Sequence, residues 1–185
     1  MLALSLATTA PEPPPPRFVP PLFHAAALMT AMRTTEWFLW PHPFAETEGF
    51  LPQWKDSFTH APRFDPSRRA FEWDGDRWWI NVVGHTLFGS ELHLRARQCD
   101  FGVLGALAWT ASASAVWEYA FEGNGVRPSA LDLVWTPLSG LALGEARLGL
   151  FRLAGRSGTW SSVARALIDP LGGIDHLATG HACGW

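Results

Sequence analysis

The sequence feature that most constrains the fold is a set of three rows of polar and small residues, spaced four apart, between residues 78 and 145. The rows are His85, Gly89, His93, Arg97; then Ser114, Glu118, Glu122; and then Asp132, Thr136, Gly140, Gly144. Residues four apart lie above one another on a helix, so each row predicts one polar face of an otherwise apolar helix. Unpaired charges are costly to bury, so the rows predict a cluster in which buried imidazole, guanidinium and carboxylate groups pair with one another.

Length and charge limit the partners that the chain can have. At 185 residues it is long enough for one domain with a sizeable core, plus tails. Its net charge of -3 and its pI near 6.1 give no general attraction to phosphate backbones. We therefore predict no nucleic-acid partner.

The aromatic composition favours association with a membrane. The chain has 11 tryptophans and 12 phenylalanines but 1 tyrosine, and its mean hydropathy is +0.03. Tryptophan is typical of interfaces and membrane belts, although a tryptophan-filled core is an equal alternative. Cys99 and Cys183 fit either one disulfide in an oxidising compartment or two buried thiols.

The chain divides into four segments. Residues 1–20 hold a signal-like apolar segment and a proline-rich spacer, which predict export although no basic residues precede the apolar segment. Residues 21–70 contain an N-terminal helix over 22–40 and then a long surface connection with little regular structure. Residues 71–170 form the core helical domain, and residues 171–185 form an irregular, glycine-rich tail.

Within the core domain the patterns predict a mainly α fold. Residues 71–80 predict a short β-hairpin around an Asp74–Gly75 turn. Helices follow over 81–99, 101–122 and 130–153, the last interrupted at Thr136–Pro137, and a short helix spans 161–168. The expected architecture is a compact helical bundle of about four to six helices. Residues 101–117 carry no charge, so a membrane-associated or re-entrant helix fits as well as a buried one.

The polar rows supply the residues for acid–base chemistry. The candidate catalytic residues are His85, Glu118, Glu122 and Asp132. The candidate binding residues are Asn81, His93, Arg97, Arg127 and Ser129. In this scheme His85 is the base, a carboxylate orients it, and Arg97 or Arg127 holds an anionic group such as a lipid phosphate.

The same residues also have purely structural interpretations. Ser129 and Asp132 match a capping box, in which each side chain accepts the backbone N–H of the other residue. His85 fits a buried imidazole that bonds to a carbonyl or to Asn81. Arg97 fits a structural ion pair with a glutamate of the second row, which is the commoner use of such a pair.

We predict no metal and no cofactor. Glu118 and Glu122, with two histidines on the first row, match neither a zincin motif nor the Glu-x-x-His motif of di-iron bundles. Asp74 and Asp76 lack the rest of a calcium loop. In the tail, two histidines and Cys183 supply three ligands in a segment without expected structure.

Several ordered motifs resemble a bacterial family. They are Trp79-Ile-Asn81, Gly84-His85-x-x-x-Gly89, Ala96-Arg97, Trp117-Glu118-Tyr119, Glu122, Pro128-Ser129-x-x-Asp132-Leu133, Thr136-Pro137, Gly140 and Gly144-Glu145. Over residues 71–150 this order resembles the family named domain of unknown function 3943, which implies a cell-envelope protein. A weaker resemblance to VanZ-like membrane proteins rests on a histidine, an acidic residue, Arg127-Pro-Ser129-x-x-Asp132 and two glycines. VanZ-like chains have several clear membrane spans, whereas this chain has borderline ones.

Two hypotheses about function follow. The first is a non-enzymatic component of the bacterial envelope, in the periplasm or against a membrane, that binds membrane lipid or an envelope protein. The second is a hydrolase or transferase that acts on an envelope lipid or glycan through histidine and carboxylate chemistry. An open cleft at His85 with an arginine at its rim favours the enzyme, whereas a sealed cluster favours the structural interpretation.

Overall fold

The computed structural model describes residues 14–155, 158–179 and 183–184. The predicted signal-like segment lies outside the described residues, as does His181 of the tail. Eight α-helices occupy the described part of the chain, where four to six were expected. They are α1 (Val19–Leu39), α2 (Pro41–Phe44), α3 (Phe50–Thr59), α4 (His85–Gln98), α5 (Val103–Val116), α6 (Ala130–Leu153), α7 (Thr159–Ile168) and α8 (Pro170–Thr179).

The predicted β-hairpin was wrong. The described residues contain no strand, and the isolated bridge between Arg63 and Ser129 joins distant parts of the chain. The Asp74 side chain explains the difference, because its Oδ1 accepts the Asp76 N–H at 3.0 Å and the Asn81 Nδ2–H at 2.9 Å. Side-chain hydrogen bonds therefore fold this segment into turns, and no ladder forms across Gly75.

The additional helices lie where little regular structure was expected. Helix α3 occupies the connection after α1, and its buried Ser57 donates a hydrogen bond to the Gly123 carbonyl at 2.8 Å. Helix α8 extends into the glycine-rich tail. Asp169 precedes α8, and its Oδ1 accepts the Gly172 N–H at 2.9 Å, which satisfies one of the free donors of the first turn.

The centre of the fold is a three-helix bundle of α4, α5 and α6, in which α4 and α6 have the most extensive contact. Helix α6 continues through Pro137, although an interruption was expected there. Two five-residue π-helical turns extend the central helices. Ile80–Gly84 directly precedes α4, and Trp117–Phe121 directly follows α5. Helix α1 packs on α4, with Ala25 and Met29 in a cluster that includes Leu92 and Trp117.

Cys99 and Cys183 form a disulfide, which decides between the two alternatives that the sequence left open. The bridge joins the end of α4 to the C-terminal tail across a sequence separation of 84. It also places Cys183 in a covalent bond, so this residue does not serve as a ligand in a C-terminal metal site.

The bundle buries polar residues beside its apolar core and also exposes apolar residues. Helix α4 buries the polar residues His85, Ser90, Glu91, His93, Arg95 and Gln98. The outer faces of the bundle carry exposed apolar residues instead, among them Leu87, Leu104, Val116, Val134, Leu138 and Leu150. Among the described residues, no helix has both the length and the apolar character needed to cross a bilayer.

Candidate functional site: a buried polar cluster between three helices

The first and third polar rows face one another across the α4–α6 contact, as the spacing predicted. His85 begins α4, and its Nδ1 lies 2.9 Å from the Thr136 hydroxyl of α6. Its Nε2 lies 3.6 Å from Asp132 Oδ2, one turn earlier on α6 and beyond hydrogen-bond distance. The side chains of His85, Asp132 and Thr136 are all buried.

The second row contributes Glu118, which lies on the π-helical turn after α5. Its Oε2 accepts the Ser129 backbone N–H at 2.8 Å. His85, Glu118 and Asp132 each offer one atom to a group whose members all lie within 4.8 Å of one another. Their exposed fractions are 8%, 1% and 2%, so the three side chains meet in the interior and not at an open cleft.

Ser129 connects the parts of this cluster. It is the N-cap of α6, and its Oγ accepts the Asp132 N–H at 3.1 Å, which is half of the predicted capping box. The other half differs, because the Ser129 N–H binds Glu118 and not Asp132. The Ser129 hydroxyl donates to Asp74 Oδ2 at 2.6 Å.

Asp74 also belongs to this cluster, although the sequence predicted only a turn at this residue. Both of its carboxylate oxygens are used, since Ser129 Oγ and Asn81 Nδ2 donate to opposite sides of it. Asn81 also donates to the Phe71 carbonyl at 2.9 Å. Asn81 therefore bonds to Asp74. His85 bonds to the Thr136 hydroxyl, and not to a carbonyl or to Asn81, the two alternatives given by the sequence. The signal in the sequence was weak, because Asp-Gly-Asp is common in exposed turns.

Burial controls the charges of the cluster. It raises the pKa of Glu118 to about 8, against the hydrogen bond from Ser129, and it raises the pKa of Asp132 to about 9 with help from the nearby charges of Glu118 and Asp74. It also lowers the pKa of the His85 imidazole to about 4. At neutral pH the imidazole is uncharged and the two carboxyl groups hold protons.

Asp74 carries the negative charge of the cluster. Burial on its own would raise the pKa of this carboxyl, but the hydrogen bonds from Ser129 and Asn81 outweigh burial and lower it. A carboxylate that accepts several hydrogen bonds keeps its charge even when it is buried. The hydrogen bonds from Ser129 and Asn81 therefore keep Asp74 ionised, whereas Glu118 and Asp132 are protonated.

Glu122 lies near two acidic residues, Glu118 and Glu36 of α1, but it is not a member of the group formed by His85, Glu118 and Asp132. Burial raises the pKa of Glu122 well above its ordinary value and also raises the pKa of Glu36. The prediction that Glu122 joins the histidine is therefore not reproduced.

The remaining candidate residues lie elsewhere. His93 Nε2 and Arg97 Nε both contact Glu145 Oε1 of α6, at 2.9 Å and 2.6 Å. The expected pairing of Arg97 with a glutamate of the second row was wrong, because Glu145 of α6 lies on the face that contacts the C-terminal half of α4. Arg127 is partly exposed, and its Nε lies 3.8 Å from Asp56 Oδ2.

The structure also contains a second buried network of ion pairs, which the sequence did not predict. Arg95 Nη2 lies 3.1 Å from Glu91 Oε1 and 3.0 Å from Asp169 Oδ1, and Arg147 Nη2 lies 2.8 Å from Glu91 Oε2. His24 of α1 also contacts Glu91. The spacing of Glu91 and Arg95 on one helix face was a readable signal for the first of these pairs.

Comparison with known proteins gives one match. Residues 70–171 match the family described as a domain of unknown function, DUF3943, and this range contains the whole of α4, α5, α6 and the buried cluster. No curated protein and no solved structure matches the chain. Because the matched range covers more than half of its length, the chain belongs to the DUF3943 family.

Proposed function

We propose that the protein is a non-enzymatic component of the bacterial envelope that binds membrane lipid through the outer faces of its central helices. In this proposal the buried cluster holds the three helices together and takes no part in a reaction. The observation that carries the proposal is that α4 buries ionisable residues while α5 and α6 expose apolar residues on their outer faces.

Helices α5 and α6 give the clearest case. On α5 the exposed positions recur every four residues at Leu104, Ala108, Ser112 and Val116, with no charge among them. On α6 they recur at Val134, Leu138, Ala142 and Ala146. A soluble helix normally turns its apolar stripe inward, whereas these stripes face outward and suit an apolar environment.

The tryptophans support the same interpretation. The large exposed apolar residues include six of them, namely Trp37, Trp40, Trp54, Trp78, Trp79 and Trp160. Exposed indole rings are favoured at the level of lipid headgroups, where the ring is in an apolar environment and the N–H reaches water. A groove of about 210 Å³ between α1 and α5, lined by Leu22, Met29, Trp109 and Val116 among others, adds an apolar depression of a size that admits part of an acyl chain.

The disulfide supports a location in the envelope. Disulfides form and persist in oxidising compartments such as the bacterial periplasm, and they are rare in the cytosol. The bond between Cys99 and Cys183 therefore fits an exported protein.

The enzymatic alternative has less support. A hydrolase or transferase acting on an envelope lipid or glycan needs His85 to reach its substrate, and the exposed fraction of this residue is 8%. The arginines proposed to hold an anionic group are also engaged elsewhere, Arg97 with Glu145 and Arg127 near Asp56. The cluster thus lacks both access and a nearby anion-binding arginine from the predicted set.

Sedimentation with lipid vesicles tests the proposal. The full chain is mixed with protein-free vesicles of phosphatidylethanolamine and phosphatidylglycerol, and the bound fraction is measured after centrifugation. We expect the wild type to bind and the double variant Leu104→Glu, Leu138→Glu to bind at least about 10-fold more weakly, because each leucine loses about 1.5–3 kcal/mol of apolar burial.

The matched control is Leu177→Glu on α8, where the leucine is 87% exposed and lies outside the central bundle. It should bind vesicles as the wild type does. A wild type that stays in the supernatant would refute lipid binding, and retention on native envelope membranes alone would identify a membrane protein as the partner instead. Equal loss of binding in the control would refute the assignment to α5 and α6.

A further inference from the structure

Three oxygen atoms of the buried cluster have no hydrogen-bond partner among the described residues: Asn81 Oδ1 and one carboxyl oxygen each of Glu118 and Asp132. Glu118 Oε1 and Asp132 Oδ1 receive no hydrogen bond from the residues that the structure describes. The exposed fractions of Glu118 and Asp132 are 1% and 2%. A buried carboxylate oxygen without a donor is costly, so such atoms indicate a group that the protein atoms do not supply. Both residues lie in the group that also includes the imidazole of His85.

We propose that His85, Glu118 and Asp132 bind one divalent transition-metal cation, such as zinc, in the interior of the bundle. One residue comes from the start of α4, one from the turn after α5 and one from the first turn of α6. A cation at this point would therefore connect the three central helices.

The donor set fits such a cation. One imidazole and two carboxylates are common zinc ligands, and the same ligand types also serve manganese and iron. His85 Nε2 and Asp132 Oδ2 lie 3.6 Å apart, within the roughly 3–4 Å that separates ligand atoms on one zinc with bonds near 2 Å. Oδ2 is the neighbour of the unpartnered Oδ1, so Asp132 would bind through Oδ2 or through both oxygens. All three ligand atoms lie within 4.8 Å of one another, so the more distant pairs must move closer by up to roughly 1 Å to bind one cation.

Neighbouring residues orient these ligands. The Thr136 hydroxyl lies 2.9 Å from His85 Nδ1 and can accept its N–H, which leaves the Nε2 lone pair directed to the cation. The Ser129 N–H holds Glu118 Oε2 at 2.8 Å, which leaves Oε1 as the ligand. Metal-binding histidines and carboxylates in proteins usually have such outer partners.

Protons are the competing explanation. A proton shared between Asp74 and Asp132, whose carboxyl groups are in contact, would satisfy one oxygen of Asp132. A proton on Glu118 would lie on Oε1, since Oε2 accepts the Ser129 N–H, and it would have no acceptor among the described residues. A cation would serve both carboxylates and the imidazole together. The two explanations differ in a measurable way, because only the cation is removed by a chelator.

Metal content and thermal stability test the proposal on the full chain. The wild type, produced in zinc-supplemented medium, is expected to retain about one equivalent of zinc by mass spectrometry. EDTA should lower its Tm, and zinc chloride should restore it, because a ligand that binds the folded state alone stabilises that state. Wild-type protein that holds no metal, and whose Tm responds to neither EDTA nor zinc or manganese chloride, would overturn the proposal.

Two conservative variants locate the site. Glu118→Gln and Asp132→Asn keep the size of the side chains, and each should weaken zinc binding about 100-fold or more, since changes to residues that merely orient ligands already cost about 10- to 100-fold. The matched control is Glu122→Gln, the same change one helical turn beyond Glu118, which should bind zinc as the wild type does. Equal affinity in Glu118→Gln and Glu122→Gln would overturn the assignment. If a variant does not fold, the chelator response of the wild type still decides.

Discussion

Gly89 of α4 and Gly140 of α6 bring the two helix backbones into direct contact. A Cβ atom added at Gly140 would lie 2.5 Å from the Gly89 carbonyl carbon and 2.7 Å from its oxygen. These distances leave no space for any side chain, so the approach of α4 to α6 depends on glycine at this crossing. The crossing lies between the His85 cluster and the contact of His93 with Glu145, and it therefore sets the register of both.

We expect Gly140→Ala to destabilise the fold by at least about 2 kcal/mol, because the added methyl group overlaps backbone atoms that cannot move aside. The measurement is urea unfolding followed by circular dichroism. The control is Gly149→Ala on the same helix, where an added Cβ meets nothing within 4 Å. That change should stabilise the protein by about 0.5–1 kcal/mol through helix propensity. Similar losses in both variants would contradict the role of the crossing.

Arg95→Met should destabilise the protein by about 3–5 kcal/mol, since it leaves the buried carboxylates of Glu91 and Asp169 without their shared cation. Thermal or urea unfolding measures the loss. Arg17→Met is the control, because Arg17 forms an exposed ion pair with Asp100 that contributes about 0–1 kcal/mol. An Arg95 variant as stable as the control would mean that the buried network is not formed.

Acid should weaken the same network. Burial on its own would raise the pKa of Glu91, but the contact with His24 and the charges of two arginines outweigh it and lower the pKa to about 2. A lowered pKa gives stability that is complete above the ordinary value of 4.5 and is lost as the pH falls toward 2. We expect a loss of about 3 kcal/mol across this interval.

The measurement for this prediction is the free energy of unfolding as a function of pH. Glu91→Gln removes the titrating group, so its stability should fall less steeply between pH 4.5 and pH 2 than that of the wild type. Parallel curves for the two proteins would show that Glu91 is not the source of the acid sensitivity.

Reduction of the disulfide should lower stability by about 4–5 kcal/mol, because the bond closes a loop whose ends are 84 residues apart and restricts the unfolded chain. A thermal melt with and without dithiothreitol measures the effect. The double variant Cys99→Ala, Cys183→Ala should melt like the reduced wild type and should not respond to dithiothreitol. A wild type that is insensitive to the reductant would contradict the bond.

Ser129→Ala should cost about 2–4 kcal/mol in thermal or urea unfolding. The variant loses the N-cap bond to the Asp132 N–H and the hydrogen bond to the charged Asp74 carboxylate. Ser112→Ala is the control, because Ser112 is exposed inside α5 and bonds to the Ala108 carbonyl of its own helix. Its stability should be unchanged or slightly higher.

Part of the buried cluster could be predicted because it depends on helical periodicity. The four-residue spacing that places His85 and His93 on one face of α4 also places Asp132 and Thr136 on one face of α6. These rows meet in the structure. The same reasoning failed for Asp74, since a turn residue has no period that would indicate where its side chain goes.

The choice of partners required the tertiary structure. Arg97 and Glu118 both belong to polar rows, yet Arg97 binds Glu145 and Glu118 binds the Ser129 backbone. Sequence spacing places a charge on a face, but the distance between faces depends on how closely the helices approach. That distance is fixed here by the glycine crossing of α4 and α6.

The sequence by itself determined that the chain is helical and that polar rows lie on the faces of three central helices, because backbone hydrogen bonding gives a helix its period locally. The tertiary structure alone decided that the cluster is sealed, that Asp74 joins it and that Cys99 pairs with Cys183. It also decided that apolar residues such as Leu104 of α5 and Leu138 of α6 face outward. Burial and pairing are properties of several segments together, so no single segment of sequence encodes them.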